Sequence, residues 1–523
     1  MTASPVVTEA ARRRTFAIIS HPDAGKTTLT EKLLLYAGVI DVAGSVRARR
    51  GRRDSTSDWM ELERQRGISI SSTVLRFEHH GMVFNLLDTP GHEDFSEDTF
   101  RVLAATDAAV MVIDAAKGVE SRTRTLYDVA RRRALPVVTF VNKCDRPGLD
   151  AIEVLDHVEA ELGVAATPLT WPVGIFGDLR GVVDRRTGCY HRYRRTPGGA
   201  TVAGEEVLDP VAAAALEGEA WSRAIEEVAL LDATGLHHDE ERYRAGQATP
   251  TLFGSALDNF GVGMLLDSLA TLVPSPGPPP TVDGPHRSLD APFTGLVFKV
   301  QANMDPAHRD HVAFVRVCTG RFERGMTLRR SSNGRQVTTK YAHTVFGNER
   351  ETLDVGYPGD VVGIVSPGGV RIGETLYDGP AVELPPIPAF RPGLFAHVRA
   401  HDVSRHKQLR SGLEQLAAEG VVQLFRAGPQ GPLTVAGAVG SLQFEVATYR
   451  LLHEYGAGAT FEPLGVRHAR EVTPSSAERL AALRGVRVLI RADGAHMAVF
   501  DTDYSLQLVQ REHPELLADH RIS

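Results

Sequence analysis

The first half of the chain alternates short apolar runs with segments of helical spacing. Residues 16–19, 82–87 and 136–141 are mostly apolar and have the length of buried strands. Between residues 29 and 36, Leu and Tyr recur at the interval of one helix face. Strands that alternate with helices in this way predict a parallel sheet with helices packed on its faces.

Two proline clusters divide the remainder of the chain. Residues 274–280 and 385–392 contain several prolines each, cannot hold a regular element, and are typical of linkers. We therefore predict a multidomain protein with an α/β domain at residues 1–280, a β-barrel domain at 281–386 and a small α+β domain at 387–523.

The patterns in the second and third segments differ from the first. Residues 293–300, 312–317 and 361–365 are β-rich and are separated by glycine turns, which predicts a barrel. Leucines then form a helical stripe at residues 409–416, and a strand-like run follows at 433–435. This combination predicts the small α+β domain.

Composition and charge limit the possible partners and the compartment. No apolar stretch approaches the length of a membrane span, and the N-terminus lacks a signal-type apolar segment, so we expect no membrane contact. The chain has three scattered cysteines, Cys144, Cys189 and Cys318, and this odd number predicts reduced thiols and a cytoplasmic protein. Because the net charge is −7, any contact with RNA would need local basic patches.

The first apolar run leads into a sequence typical of a phosphate-binding loop. Residues 20–27 read Ser-His-Pro-Asp-Ala-Gly-Lys-Thr. Such a loop directs backbone N–H groups and a helix N-terminus at phosphate, and Lys26 would pair with the β- and γ-phosphates. The hydroxyl of Thr27 suits Mg²⁺. Ser20 stands where the motif usually has its first glycine, and we expect a small residue still to make the turn.

A second motif follows the run at residues 82–87. Asp88 can hold a metal-bound water, and Gly91 lets the backbone approach a γ-phosphate and move when that phosphate leaves. The predicted phosphate-binding residues are Asp23, Ala24, Gly25, Lys26, Thr27, Thr28 and Gly91.

Two more motifs would recognise a guanine base. Asp145 can accept hydrogen bonds from guanine N1 and N2, which adenine cannot satisfy, and Lys143 would lie along the base plane. Ser255 and Ala256 would offer a backbone N–H to the base oxygen. The predicted guanine-binding residues are Asn142, Lys143, Asp145, Ser255, Ala256 and Leu257.

All four motifs follow predicted strands, at the edge where ligands bind in doubly wound sheets. The first domain is therefore predicted to be an α/β P-loop GTPase domain that binds GTP or GDP.

Several segments resemble the translational GTPases. The resemblance lies in residues 20–27, 66–69 and 88–95, and it extends over nearly the whole chain. Residues 320–326 are similar to the hairpin signature of the second-domain barrel of that family.

A closer resemblance is to the bacterial class II peptide chain release factors. It rests on residues 57–69, 298–310 and 439–444. The resemblance implies a ribosome-stimulated GTPase of translation termination. Such a protein promotes the GTP-dependent dissociation and recycling of class I release factors after peptide release. It also implies a monomer whose partners are the ribosome, with its RNA and proteins, and the class I factors.

The same resemblance implies roles at the site. By position, Thr27 and Ser69 would ligate Mg²⁺, and Asp88 would act through a water. His92 would be the catalytic residue that orients the attacking water against the γ-phosphate. The ribosome would make His92 competent.

Alternatives remain open at this stage. The chain could be a divergent paralogue that acts on stalled or antibiotic-bound ribosomes, or a guanine-nucleotide-binding module with little turnover. The arginines of residues 47–53 could contact ribosomal RNA or form a solvated loop. The addition at residues 146–250 could contact a partner or form a packed subdomain.

Overall fold

The fold is taken from a computed structural model of the whole chain. The structure describes residues 4–40, 72–90, 94, 96–196, 199–302, 311–346, 349–366, 369–387, 390–428 and 431–517.

The N-terminal region forms an α/β domain with a small second sheet. Its strands are β1 (Arg13–Ser20), β2 (Thr73–His79), β3 (Met82–Asp88), β4 (Ala108–Asp114), β5 (Val137–Asn142), β6 (Ala165–Pro168), β7 (Thr170–Ile175), β8 (Asp178–Asp184), β9 (Tyr190–Arg194), β10 (Gly204–Leu208) and β11 (Ala248–Phe253). Its helices are α1 (Pro5–Ala11), α2 (Lys26–Tyr36), α3 (Ser96–Leu103), α4 (Ser121–Arg132), α5 (Ala151–Leu162), α6 (Pro210–Glu217), α7 (Glu219–Ala233), α8 (Glu240–Arg244) and α9 (Val262–Leu272).

The main sheet brings the motif-bearing strands together. Its order is β2-β3-β1-β4-β5-β11-β6, and every pair is parallel except β2 with β3. Every residue of β4 and β5 is buried, because both faces of a parallel sheet are covered by other parts of the fold. The register sets Ile18 beside Asp88 and Asp114 beside Asn142. The polar ends of the strands therefore meet at one edge of the sheet.

The addition between β5 and β11 is a packed subdomain. Strands β7 to β10 form an antiparallel sheet in the order β10-β9-β8-β7. Trp171 and Tyr190 are fully buried, and the Trp171 ring meets Phe253 of the main sheet edge-on with centroids 5.5 Å apart. The packed alternative for this segment is the one that the structure shows. A partner contact remains a prediction.

The middle region is a β-barrel domain, as predicted. Its strands are β12 (Thr294–Ala302), β13 (His311–Thr319), β14 (Phe322–Glu323), β15 (Thr327–Arg330), β16 (Gln336–Thr338), β17 (Ala342–Phe346), β18 (Glu349–Thr352), β19 (Val355–Gly356), β20 (Val361–Ser366) and β21 (Thr375–Tyr377). Eight of them join antiparallel in the order β16-β15-β21-β12-β13-β20-β17-β18, and β14 pairs with β19. Alternate residues such as Val315 and Val317 point into an apolar core.

The C-terminal region is an α+β domain, again as predicted. Its strands are β22 (Leu394–Ala400), β23 (Gln423–Arg426), β24 (Leu433–Ala438), β25 (Ala459–Pro463), β26 (His468–Val472), β27 (Val486–Arg491) and β28 (His496–Phe500), in the order β25-β22-β24-β23-β27-β28-β26. Its helices are α10 (His406–Ala418), α11 (Ser441–His453), α12 (Pro474–Ala481) and α13 (Asp503–Glu512), with 3-10 turns at Val403–Arg405 and Pro514–Leu516. Leu409, Leu413 and Leu416 form the buried stripe of α10.

Buried ion pairs join the first domain to the barrel. Arg13 lies 3.1 Å from Asp360, and each side chain is only 4% exposed. Arg316 lies 2.6 Å from Asp107. Hydrogen-bonded pairs of this kind fix the relative position of two domains, because separating them would leave charges without partners. The boundaries at residues 280 and 386 remain predictions.

Candidate guanine-nucleotide site

The phosphate-binding loop connects β1 to α2. Gly25, which precedes α2, has a φ of 97°, and no side chain caps the first N–H groups of the helix. A Cβ at Gly25 would lie 2.3 Å from Nδ2 of Asn142. Glycine is therefore required both for the backbone and for space. The open helix N-terminus is an arrangement that binds phosphate.

Ser20 is accommodated without strain. It is the last residue of β1, is buried, and is not among the residues with positive φ. Its Oγ and the Nδ1 of His21 are buried polar atoms for which the structure gives no hydrogen-bond partner. Such atoms next to the loop fit a polar ligand.

Lys26 and Asp88 meet at the phosphate end of the site. The Lys26 ammonium lies 2.5 Å from Oδ1 of Asp88, and the lysine side chain is only 7% exposed. The pair forms because β1 and β3 are neighbours, with Asp88 beside Ile18, two residues before β1 ends and the loop to Lys26 begins. Thr27 is exposed and Thr28 is half-buried at the start of α2. One cation, one carboxylate and two hydroxyls are thus within the first turn of α2 or next to it.

Asn142 links the phosphate loop to the base-binding segments. Its Nδ2 donates to the carbonyl of Ala24 at 2.8 Å, and its Oδ1 accepts from the N–H of Ala256 at 2.8 Å. The side chain is buried at the end of β5. Asn142 therefore supports the contact between two loops, and its predicted contact with the base stays a prediction.

Asp145 is held by Ser255, another of the predicted guanine-binding residues. The Ser255 hydroxyl donates to Oδ1 of Asp145 at 2.5 Å. The Asp145 side chain is 9% exposed, and its Oδ2 lies 3.6 Å from Nε of Arg146. A carboxylate whose orientation is fixed in this way can present acceptors to a base.

Lys143 is anchored by a residue that the sequence analysis missed. Its backbone has a φ of 67°, and its ammonium donates to Oδ2 of Asp114 at 2.8 Å. Burial raises the pKa of Asp114. The hydrogen bonds from Lys143 and from the N–H of Ala116 outweigh it, so the pKa stays below its usual value. The sequence pattern could have identified Asp114. It follows the apolar run at residues 108–113 just as Asp88 follows the apolar run at residues 82–87.

Two backbone N–H groups of the last motif already donate hydrogen bonds within the protein. The N–H of Ala256 donates to Asn142, and the N–H of Ser255 donates to the carbonyl of Phe260. We expect a base oxygen at this position to share the Ala256 donor or to take the N–H of Leu257, a residue that is 47% exposed.

The sequence analysis also missed Asn259, because this residue belongs to none of the four motifs. It is buried with a φ of 67°, and its Nδ2 donates to the carbonyls of Gly199 and Thr201. These bonds tie the packed subdomain to the segment that follows β11. The subdomain therefore supports the base-binding loop.

Cys144, between Lys143 and Asp145, is structural. It is fully buried, and burial raises the pKa of its thiol. A buried neutral thiol is a poor nucleophile.

Several predicted residues lie outside the described part of the chain. They are Gly91 and His92 of the second motif, Ser69, and the arginine-rich residues 47–53. Their predicted roles stay predictions.

A separate group of potential metal ligands occurs at the far end of the β2–β3 hairpin. Nε2 of His79 lies 2.7 Å from Oδ1 of Asp267, and Nε2 of His80 lies 3.3 Å from it. Both histidines contact Asp267 directly, and these contacts hold the β2–β3 hairpin against α9.

Family models match the three regions in chain order. Residues 11–275 match the elongation factor Tu GTP binding domain, residues 292–379 match elongation factor G domain 2, and residues 384–510 match the class II release factor RF3, C-terminal domain.

Similar proteins span the full chain. Peptide chain release factor 3 of Gloeobacter violaceus is 45% identical over 99% of this chain and 98% of its own length. That of Microcystis aeruginosa is 46% identical over 97% of this chain and 94% of its own length. A crystal structure of a protein from Thermus thermophilus is 26% identical with a TM-score of 0.69, and the match covers 88% of this chain and 69% of that one.

No helix in the described ranges has both the length and the apolar character needed to cross a membrane.

Proposed function

The chain belongs to the family of peptide chain release factor 3, and we propose that it promotes the GTP-dependent dissociation of class I release factors from the ribosome. It is a ribosome-associated GTPase of translation termination that hydrolyses GTP to GDP and phosphate. One observation supports the proposed dissociation of class I factors. The same chain contains the candidate guanine-nucleotide site and the C-terminal domain of this family.

Guanine selection would rest on Asp145. Ser255 donates to Oδ1 and holds the carboxylate, and its remaining acceptor positions would face the base edge. A base without donors at the positions of guanine N1 and N2 would leave the remaining acceptor positions of this nearly buried carboxylate unsatisfied, which discriminates strongly against it. Lys143, held by Asp114, would cover one face of the base.

The phosphates would lie on the loop at residues 20–27 and at the N-terminus of α2. Lys26 contacts Asp88 in this structure, and its ammonium would transfer to the β- and γ-phosphates when nucleotide binds.

The donor set fits Mg²⁺. The hydroxyls of Thr27 and Ser69 would ligate the ion, and Asp88 would act through a bound water, since hard oxygen ligands are those that Mg²⁺ prefers. The ion would neutralise charge that develops on the phosphates.

His92 would orient the attacking water, and contact with the ribosome would bring it into position. In this mechanism most of the acceleration comes from positioning and charge stabilisation. The protein would work in the cytoplasm as a monomer.

The test is release-factor recycling on ribosomes halted at a stop codon, with a limiting amount of class I factor. The wild type and His92→Ala are compared for phosphate release and for multiple turnovers of the class I factor. Faster recycling by the wild type, with phosphate release lost in the variant, would support the proposal.

Other outcomes would redirect the proposal. Stimulated hydrolysis without recycling would indicate a paralogue that acts on stalled or antibiotic-bound ribosomes. No stimulated hydrolysis would indicate a nucleotide-binding module with little turnover.

A further inference from the structure

Asp94, two residues before α3, and Arg101, in the last turn of α3, both reach from the GTPase domain into the C-terminal domain. Oδ2 of Asp94 accepts a hydrogen bond from the N–H of Leu442, in the first turn of α11, at 2.6 Å. Arg101 donates through Nη1 to the carbonyl of Glu419, which follows α10, at 3.5 Å. The helix that follows the second nucleotide motif is therefore joined to the C-terminal domain at both of its ends.

Glycines make both contacts possible. A Cβ on Gly440 would lie 2.0 Å from Cγ of Asp94, and a Cβ on Gly420 would lie 1.9 Å from Nη1 of Arg101. Gly440 has a φ of −138° and a ψ of 167°, an extended conformation that any residue adopts. Its backbone does not need glycine, so the space that Asp94 occupies is the local reason for glycine at this position.

Asp94 supplies what α11 lacks. The N-cap residue Gly440 has no side chain that could accept from the first N–H groups of the 13-residue helix. Gln443 accepts from the N–H groups of Val439 and Gly440 before the helix, and Asp94 accepts from that of Leu442. A carboxylate at a helix N-terminus also interacts favourably with the helix dipole.

The second contact leads to the same helix. The carbonyl of Glu419 accepts the hydrogen bond from Arg101. The carboxylate of the same residue accepts one from Arg450 of α11 at 2.9 Å. The two carboxylate–guanidinium partners are 7% and 6% exposed. Movement of α11 would therefore act on both ends of α3. A cavity of about 730 Å³, lined in part by Glu97 of α3 and Gln415 of α10, lies beside this second contact.

We propose that Asp94 is a positioning residue for GTP hydrolysis, which fastens the segment after the second motif to α11 of the C-terminal domain. Asp94 is two positions after His92 in the sequence. The inference rests on the proposed role of His92. Through this contact the C-terminal domain controls the hydrolysis step without touching the nucleotide.

The decisive variant is Gly440→Ala, because it expels the Asp94 carboxylate while leaving the GTPase domain unaltered. It is compared with Asp94→Ala, with the double variant, and with Asp94→Asn, which keeps an oxygen that can accept from Leu442. Gly393→Ala is the matched control in the same domain, since a Cβ there would come no nearer than 3.4 Å to a neighbouring atom.

The measurement is single-turnover GTP hydrolysis at saturating ribosomes, together with the affinity for a non-hydrolysable GTP analogue. We expect Gly440→Ala and Asp94→Ala to lower the rate about tenfold with an analogue affinity within about twofold of wild type. Asp94→Asn should recover part of the rate. The double variant should be no slower than Asp94→Ala, because the added methyl group then has space.

The proposal is overturned if both single variants hydrolyse GTP at the wild-type rate or faster, or if their effects multiply in the double variant. His92→Ala, measured in parallel, separates the two proposals. If that variant hydrolyses GTP normally, the role of His92 fails, while the pairing of Asp94 with Gly440 is still judged by the non-additivity of their effects.

Discussion

The Ser255 hydroxyl donates to Oδ1 of Asp145 at 2.5 Å, although the two residues are 110 positions apart in the chain. The bond joins the loop after β5 to the loop after β11, which are neighbouring strands of one sheet. It fixes the orientation of the carboxylate before any nucleotide arrives. Such preorganisation reduces the cost of binding.

The first prediction concerns base selection. Asp145→Asn replaces an acceptor pair with an amide, which complements xanthine rather than guanine. We expect GDP affinity to fall at least about 100-fold and xanthosine diphosphate affinity to rise above that of GDP. Displacement of a fluorescent nucleotide measures both. Ser255→Ala keeps the carboxylate and should weaken GDP binding only about threefold to tenfold. Unchanged GDP affinity in Asp145→Asn would refute the assignment of Asp145.

The second prediction concerns the phosphate loop. Gly25→Ala adds a Cβ at 2.3 Å from Nδ2 of Asn142 and strains a φ of 97°. The loop and the base-binding support should both be displaced, and we expect no measurable GDP binding by isothermal titration calorimetry.

The control for this variant is Gly38→Ala, just after the same helix. Gly38 also has a positive φ, of 70°, but nothing lies within 4 Å of an added Cβ. It should lose stability and keep its GDP affinity. Equal loss of binding in both variants would show that backbone strain, and not the contact with Asn142, is responsible.

The third prediction concerns the C-terminal domain. Burial lowers the pKa of Arg450, but Glu419 and Glu454 hold it above its usual value. Arg450→Met leaves buried carboxylates without their partner and should destabilise this domain by about 3–5 kcal/mol. Hydrogen exchange of α11 in increasing urea reports the domain separately from the others.

Arg410→Met is the matched comparison on α10. Arg410 also pairs with a glutamate four residues on, at 2.9 Å, but its side chain is 73% exposed. Its loss should change the stability by less than about 0.5 kcal/mol. Similar effects of the two substitutions would contradict the importance of burial.

Local patterns were sufficient for much of the fold and for several of the residues that the structure brings together at the candidate site. The buried strand at residues 137–142 and the loop at residues 20–27 are specified by short runs of sequence, and Asn142 and Asp145 follow from their places after a strand. Asp114 could have been found by the same rule. It was missed because it holds Lys143, a contact between two strand ends that no motif records.

Contacts between domains could not be predicted in this way. Arg13 and Asp360 are 347 positions apart, and Asp94 and Leu442 are 348 positions apart. Nothing in a single sequence distinguishes these charged residues from solvated ones. Gly440 gives no signal either, since its extended backbone does not require glycine. Only the packing of Asp94 of the GTPase domain against Gly440 shows why this position has no side chain.

The last prediction concerns pH. Because Lys143 and the N–H of Ala116 keep the pKa of Asp114 below its usual value, the folded protein keeps this carboxylate charged where an unfolded aspartate takes up a proton. Its contribution to stability is complete above the usual aspartate pKa and is lost as the pH falls through the lowered folded value. Between about pH 5 and pH 3, Asp114→Asn should therefore lose stability less steeply than the wild type.

Chemical denaturation of the GTPase domain across this pH range, followed by the fluorescence of its buried tryptophans, measures the slope. Asp178→Asn is the control, because Asp178 pairs with Arg180 on the surface and is 64% exposed. It should leave the slope close to that of the wild type. If Asp114→Asn and the wild type lose stability in parallel, the ion pair with Lys143 does not contribute to folding, and Asp114 serves nucleotide binding alone.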